Sequence, residues 1–217
     1  MKISAHKVFK PFLKVSFLLL IFLSLVSIQL LYANNATTLN QTINEGTLSV
    51  DIVDAAGDPV ASPSVIFGAV SFSFSAQDAT GTLGTATEKI RLSNPTASET
   101  WSVNMAATGG ADTLWTDSTY TYPFDSTGGA DSGRLTVDPS VGTITAIGSG
   151  CTNTNVTKGA SDYFLSGTTD SIDLMNAVAG ADIDCQWDLT GVSLSQRLPA
   201  GQEPSTTYSI GMTITAT

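Results

Sequence analysis

Histidine is almost missing from these 217 residues: the one imidazole, His6, stands ahead of an apolar run near the N-terminus, and none follows it. Its scarcity removes the usual general base, the Ser/His/Asp triad and every histidine-bound metal centre. Positive charge is nearly as rare. Of nine Lys and Arg, four (Lys2, Lys7, Lys10, Lys14) lie in the first fourteen residues, leaving Lys89, Arg91, Arg134, Lys158 and Arg197 against nineteen Asp and Glu. A polyanion of this kind cannot neutralise phosphates, so nucleic acid is excluded as a partner, and adsorption to anionic membrane is disfavoured. Charged residues of both signs make up only 13% of the chain, and no stretch after the N-terminal apolar run shows sustained helical spacing. Cysteine occurs twice, as Cys151 and Cys185. In an oxidising compartment an even pair reads as a disulfide, which leaves no thiol nucleophile. No enzymatic chemistry is expected of such a chain.

What is present begins with an export signal. Met1 to Lys14 is basic, and Val15 to Tyr32 is apolar apart from Ser16, Ser24, Ser27 and Gln29. Positive charge held inside while an apolar run enters the membrane is the order a secretory signal requires. A cut after Ala33 puts Leu31 and Ala33 at the −3 and −1 positions. The alternative is retention as an N-terminal anchor, the protein's one contact with membrane; either way the remainder is exported, to the extracellular space or the cell surface. Residues 34–45 are polar and expected to be a flexible leader.

From residue 46 to residue 217 the pattern is that of a single all-β domain. Runs of alternating side chains, joined by Gly, Pro and Asp turns, are expected as strands at 46–53, 65–74, 85–92, 101–105, 135–137, 143–147, 161–165, 171–174, 185–189, 192–194 and 208–216. Thr80-Gly81-Thr82 reads as a small loop and residues 109–133 as a long decorated loop or loose hairpin. About ten short strands in one domain imply a two-sheet β-sandwich. The last run is the most regular: Tyr208, Ile210, Met212, Ile214 and Ala216 point one way and Ser209, Gly211, Thr213, Thr215 and Thr217 the other. Being free of charge at the chain terminus, it offers an edge for β-augmentation, and hence for a structural subunit that assembles into a fibre or layer.

Candidate ligand residues are few. Trp115, Tyr120 and Tyr122 lie among aspartates in the irregular region and form a candidate surface loop for sugar or another ligand, whereas Trp101 and Trp187 sit on alternating strands as core. Asp112, Asp117, Asp125 and Asp131 are calcium candidates, since hard cations take carboxylates and loop carbonyls, although no DxDxDG loop is present. Their other reading is as turn-forming and solubilising residues. Lys89 and Arg91 are expected to face solvent from their strand. No other cofactor is implied.

Trp187-Asp188-Leu189 resembles the Trp-any-Leu motif of WxL domains, secreted modules of Gram-positive bacteria held non-covalently to the cell wall. Tyr208, Met212 and Thr213 stand in the order of that family's distal motif, with Ile214 and Ala216 where its second Trp and Leu would be. The resemblance implies a β-sandwich whose end, through Trp187, Leu189, Tyr208 and Thr213, closes the domain and carries cell-wall or surface-protein adhesion. Leu198-Pro199-Ala200-Gly201 departs from the sortase signal, so covalent sorting is not expected.

Overall fold

A computed structural model describes residues 41–217. The expected export signal 1–33 and most of the expected 34–45 leader therefore lie outside the described residues. Asn44–Thr217 forms one compact unit. Among the described residues no helix is long and apolar enough to cross a membrane.

The unit is all-β and antiparallel, with strands β1 (Ser49–Val53), β2 (Gln77–Leu83), β3 (Lys89–Asn94), β4 (Trp101–Ala107), β5 (Leu114–Thr116), β6 (Thr121–Pro123), β7 (Arg134–Asp138), β8 (Thr143–Ile147), β9 (Val156–Lys158), β10 (Asp162–Tyr163), β11 (Ser171–Ala177), β12 (Cys185–Thr190), β13 (Val192–Leu198) and β14 (Met212–Ala216). Ten of them have five residues or more, in line with the expected number; the other four are short pairings at edges and in the hairpin.

Three ladders have four strands each: β1-β3-β12-β8, β10-β7-β13-β2 and β14-β4-β11-β9. The first two share one three-stranded ribbon. Strand β2 runs on into β3, β7 into β8 and β12 into β13, and the ribbon folds over where each passes a glycine. Gly84 (φ +80°) and Gly191 (φ +76°) take the left-handed conformation that favours glycine, and Gly191 N–H donates to Gly84 O at 2.7 Å. On the third strand a Cβ at Gly142 would fall 2.8 Å from Thr190 O, so the backbones pass too closely for any side chain. The ladder β14-β4-β11-β9 packs on the apolar side of this bent ribbon, giving the sandwich.

Alternation explains the core. Strand β4 is buried at every second residue, and Trp101, Val103 and Met105 meet Ile90 and Leu92 of β3, Trp187 and Leu189 of β12, and Leu135, Val137 and Leu194 from the other half of the ribbon. Trp101 and Trp187 pack with their rings tilted by 45° at 5.1 Å between centroids, and Phe124 and Phe164 tilted by 60° at 5.0 Å. A fully buried indole removes roughly 200 Å² from water, about 5 kcal/mol at 25 cal/mol per Å². Cys151 and Cys185 form a disulfide with Cα atoms 5.9 Å apart, spanning 34 residues. Closing a loop of that length stabilises the fold by about 3 to 4 kcal/mol in the chain-entropy account.

Three expectations need correction. Thr80-Gly81-Thr82 is no loop but the middle of β2, a strand whose polar residues hide its pairing with β13. The run 65–74, the strongest-looking internal strand, joins no ladder: it lies extended beside β2, touching it through Gly68 N–H to Thr80 O at 2.8 Å. The strand expected from residue 85 starts at Lys89, because Thr85–Glu88 closes a turn through Thr85 N–H to Glu88 O.

Candidate functional site

The Trp187-Asp188-Leu189 motif sits on β12 between β3 and β8, with Trp187 opposite Leu92 and Ala146, and Leu189 opposite Ile90 and Ile144. A central strand flanked on both sides has no open edge. Trp187 and Leu189 are fully buried, and the indole Nε1–H donates to Thr152 O at 2.9 Å, one residue from the disulfide. Nothing outside the fold can touch either side chain.

Asp188 points to the other face and is buried too, at 4% exposure. Arg91 lies directly opposite on β3 and binds it two-handed, Nε to Oδ1 at 2.7 Å and Nη2 to Oδ2 at 2.9 Å, while Lys89 Nζ approaches Oδ2 at 3.2 Å. Burial opposes ionisation of Asp188, but hydrogen bonds and charge from Arg91 and Lys89 outweigh it and hold the carboxyl below its ordinary range. Lys89 and Arg91 are thus not free solvated charges, as expected above. Cross-strand register delivers both to one buried carboxylate, a spacing the sequence shows only once β3 and β12 are known to pair.

The distal residues belong elsewhere. Thr213 lies on β14, in a different ladder from the one that carries Trp187, and Tyr208 lies four residues before that strand, so the two motif halves do not build a common closing sheet. Tyr208 OH donates to Glu203 O at 2.9 Å and accepts from Gln202 Nε2 at 2.7 Å. Thr213 is exposed and shares a hydrogen bond with Thr108 between hydroxyls 2.8 Å apart.

The aromatic loop is also corrected. Trp115 and Tyr122 are buried, paired across the β5-β6 hairpin and stacked at 5.9 Å, with Phe67 edge-on to the indole and Tyr208 edge-on to Tyr122. The Trp115 Nε1–H is satisfied inside the fold by Gln196 Oε1 at 2.9 Å. Tyr120 alone is exposed. Polar neighbours in sequence suggested a surface, whereas the hairpin folds back onto β13.

The four aspartates do not converge. Asp117 caps its own turn by accepting from Thr119 and Tyr120 N–H, and Asp131 takes Arg197 Nε at 2.8 Å. Asp112 is exposed, and Asp125 is buried with Oδ2 unpartnered; burial, then the charges of Asp170 and Asp112, push its titration up. Among the described residues no three Asp, Glu, Cys or His side chains are placed to hold a metal ion.

The opening in the sandwich lies where β1 and β14 meet. Val50 and Ile52 on one side, and Tyr208, Ile210, Met212 and Ile214 on the other, flank a half-open cleft of about 510 Å³ whose floor includes Met105, Leu135 and Leu194. Strand β14 ends its ladder, and its pairing with β4 fixes which backbone groups are free. Thr217 exchanges both hydrogen bonds with Ser102, and Gly211 O accepts from Thr108 N–H, so odd-numbered residues bond inward. By antiparallel alternation, the N–H and C=O groups of Ile210, Met212, Ile214 and Ala216 point away from β4. Among the described residues they have no backbone partner.

No protein-family model, curated protein or solved structure matches this chain. Its functional surface is therefore read from geometry: a sealed motif, scattered carboxylates and one apolar cleft with a free strand edge. The unfaulted alternation of 208–217 was the signal that could have located the cleft, since a strand half-buried along its length at a sheet edge has room beside it.

Proposed function

We propose that this is a non-enzymatic, exported surface module that works by adhesion, holding a cell-wall polymer or another surface protein through the open side between β1 and β14. The observation that carries this is the cleft flanked by the free edge of β14. A groove with apolar walls and a row of unpaired backbone donors and acceptors suits an extended chain, which fills both needs at once. The sealing of Trp187 and Leu189 supports the same side, because envelope contacts need a surface and the motif has none to give. The near absence of histidine and the engagement of both cysteines in a disulfide support a role without bond-making chemistry.

Co-sedimentation of the secreted protein with isolated cell envelopes tests the proposal. Recovery in the pellet, reduced by substituting Ile210→Asp in the cleft wall, is the expected result. A protein that stays wholly in the supernatant would overturn it.

A further inference from the structure

Resting on that adhesive role, the geometry points to a second copy of this chain as the cleft's occupant, with residues 69–75 of the donor copy entering as an added strand beside β14. An apolar small molecule fills such a cleft less well. It would offer no hydrogen bonds to the backbone groups of Ile210, Met212 and Ile214, whereas a strand pairs them.

The same chain carries a segment built for this. Residues 69–75 read Ala-Val-Ser-Phe-Ser-Phe-Ser, apolar and polar in strict alternation from Val70 on, yet they join no ladder. Among the described residues no backbone N–H from Ala69 to Phe74 donates to another backbone group. The fold holds this stretch by two carbonyls, Ser71 O to Gln77 Nε2 and Ser73 O to Gly201 N–H. Its apolar side chains are turned out, Val70 at 40%, Phe72 at 48% and Phe74 at 87% exposure, and with Ile66 they make four of the eleven large apolar side chains exposed among the described residues. Of roughly 200 Å² per ring, Phe72 and Phe74 leave about 100 and about 170 Å² to bury, a central part of the about 800 Å² per partner of a stable complex, to which the strand backbone and Ile66 add.

Charge permits self-association. In a chain of net charge −10, like copies repel, yet Val60 to Gln77 and Pro204 to Thr217 contain no charged residue at all. Donor strip and acceptor strand thus bring no charged side chain of their own to the contact, and the carboxylates at the cleft are those of Asp51 and Glu88 on its other walls. Because a donor strip on one surface fits an acceptor cleft on another, the contact is heterologous and propagates into an open chain of copies.

Sedimentation velocity of the secreted protein over rising concentration, with and without a synthetic peptide of residues 66–77, tests this. The expected result is growth into oligomers, suppressed by the peptide, with association weakened at least tenfold in Phe72→Ser/Phe74→Ser; circular dichroism checks that this doubly surface-changed variant keeps its fold. A peptide carrying both Phe→Ser changes should fail to suppress growth. Three outcomes overturn the proposal: a monodisperse monomer at every concentration, oligomers indifferent to the two Phe changes, or a dodecanoate probe that fills the cleft and is not displaced by the peptide. Envelope co-sedimentation of the Phe variant separates the two levels: retained binding with lost oligomers means the adhesive role survives and only self-assembly is tested, whereas a wild type that stays monomeric and still pellets removes the second copy alone.

Discussion

The two ends of the sandwich invert what their sequences advertise. Around Trp187 a short, motif-like stretch is packed on both faces, pinned by the Cys151–Cys185 bridge and backed by a buried carboxylate gripped by two cations. Around β14 a plainer strand is half-buried at alternate residues and leaves one backbone edge unpaired. The first region spends its chemistry on stability, while the second leaves a surface and a cleft open. A motif that looks functional in one dimension can be wholly structural in three.

The contrast can be broken at either end. Trp187→Ala should cost about 4 kcal/mol in urea unfolding, because it empties the centre of the core and strips Trp101 of its neighbour; a loss under 1 kcal/mol would mean that end is not sealed. Asp188→Ala comes next, at about 3 kcal/mol near neutral pH, since it strands Arg91 and Lys89 beside each other in a half-buried site. The sign of its pH dependence follows from the lowered titration of Asp188. A carboxylate held below its unfolded value contributes fully above about pH 3.9 and loses that contribution as pH falls through the folded value. Melting curves of wild type and Asp188→Ala should therefore converge on acidification below pH 4, and a constant gap would contradict the ion cluster. Smallest is Ile214→Ala at the cleft, about 1 kcal/mol, because a half-buried side chain on an edge strand leaves little cavity behind. If it cost as much as Trp187→Ala, the open side would be core after all.

Much of the fold was legible in the residues, for reasons that also explain the misses. Alternation in 101–105, 135–137 and 185–189 found strands because one face of each meets the core, and an even pair of cysteines sufficed for the disulfide. Strand β2 was hidden because Gln77, Asp78, Thr80 and Thr82 carry no apolar pattern; its place is set by pairing with β13, a long-range fact. Residues 65–74 misled in the opposite sense, since their pattern is that of a strand while no ladder in this chain takes them. At the site, polar neighbours made Trp115 and Tyr122 look exposed, and only the fold-back of the hairpin onto Gln196 shows otherwise. The cleft itself needs two edges brought together from opposite ends of the chain, which no local pattern encodes.

The crease at Gly84, Gly142 and Gly191 sets how this molecule comes apart. Every strand crossing it contributes residues to both panels of the ribbon, so neither panel can melt while the other stays intact without tearing three backbones from their partners at once. A tether at one end, such as the disulfide, is thereby felt at the far end, and a pull on the open side is borne by both panels as a single mechanical piece.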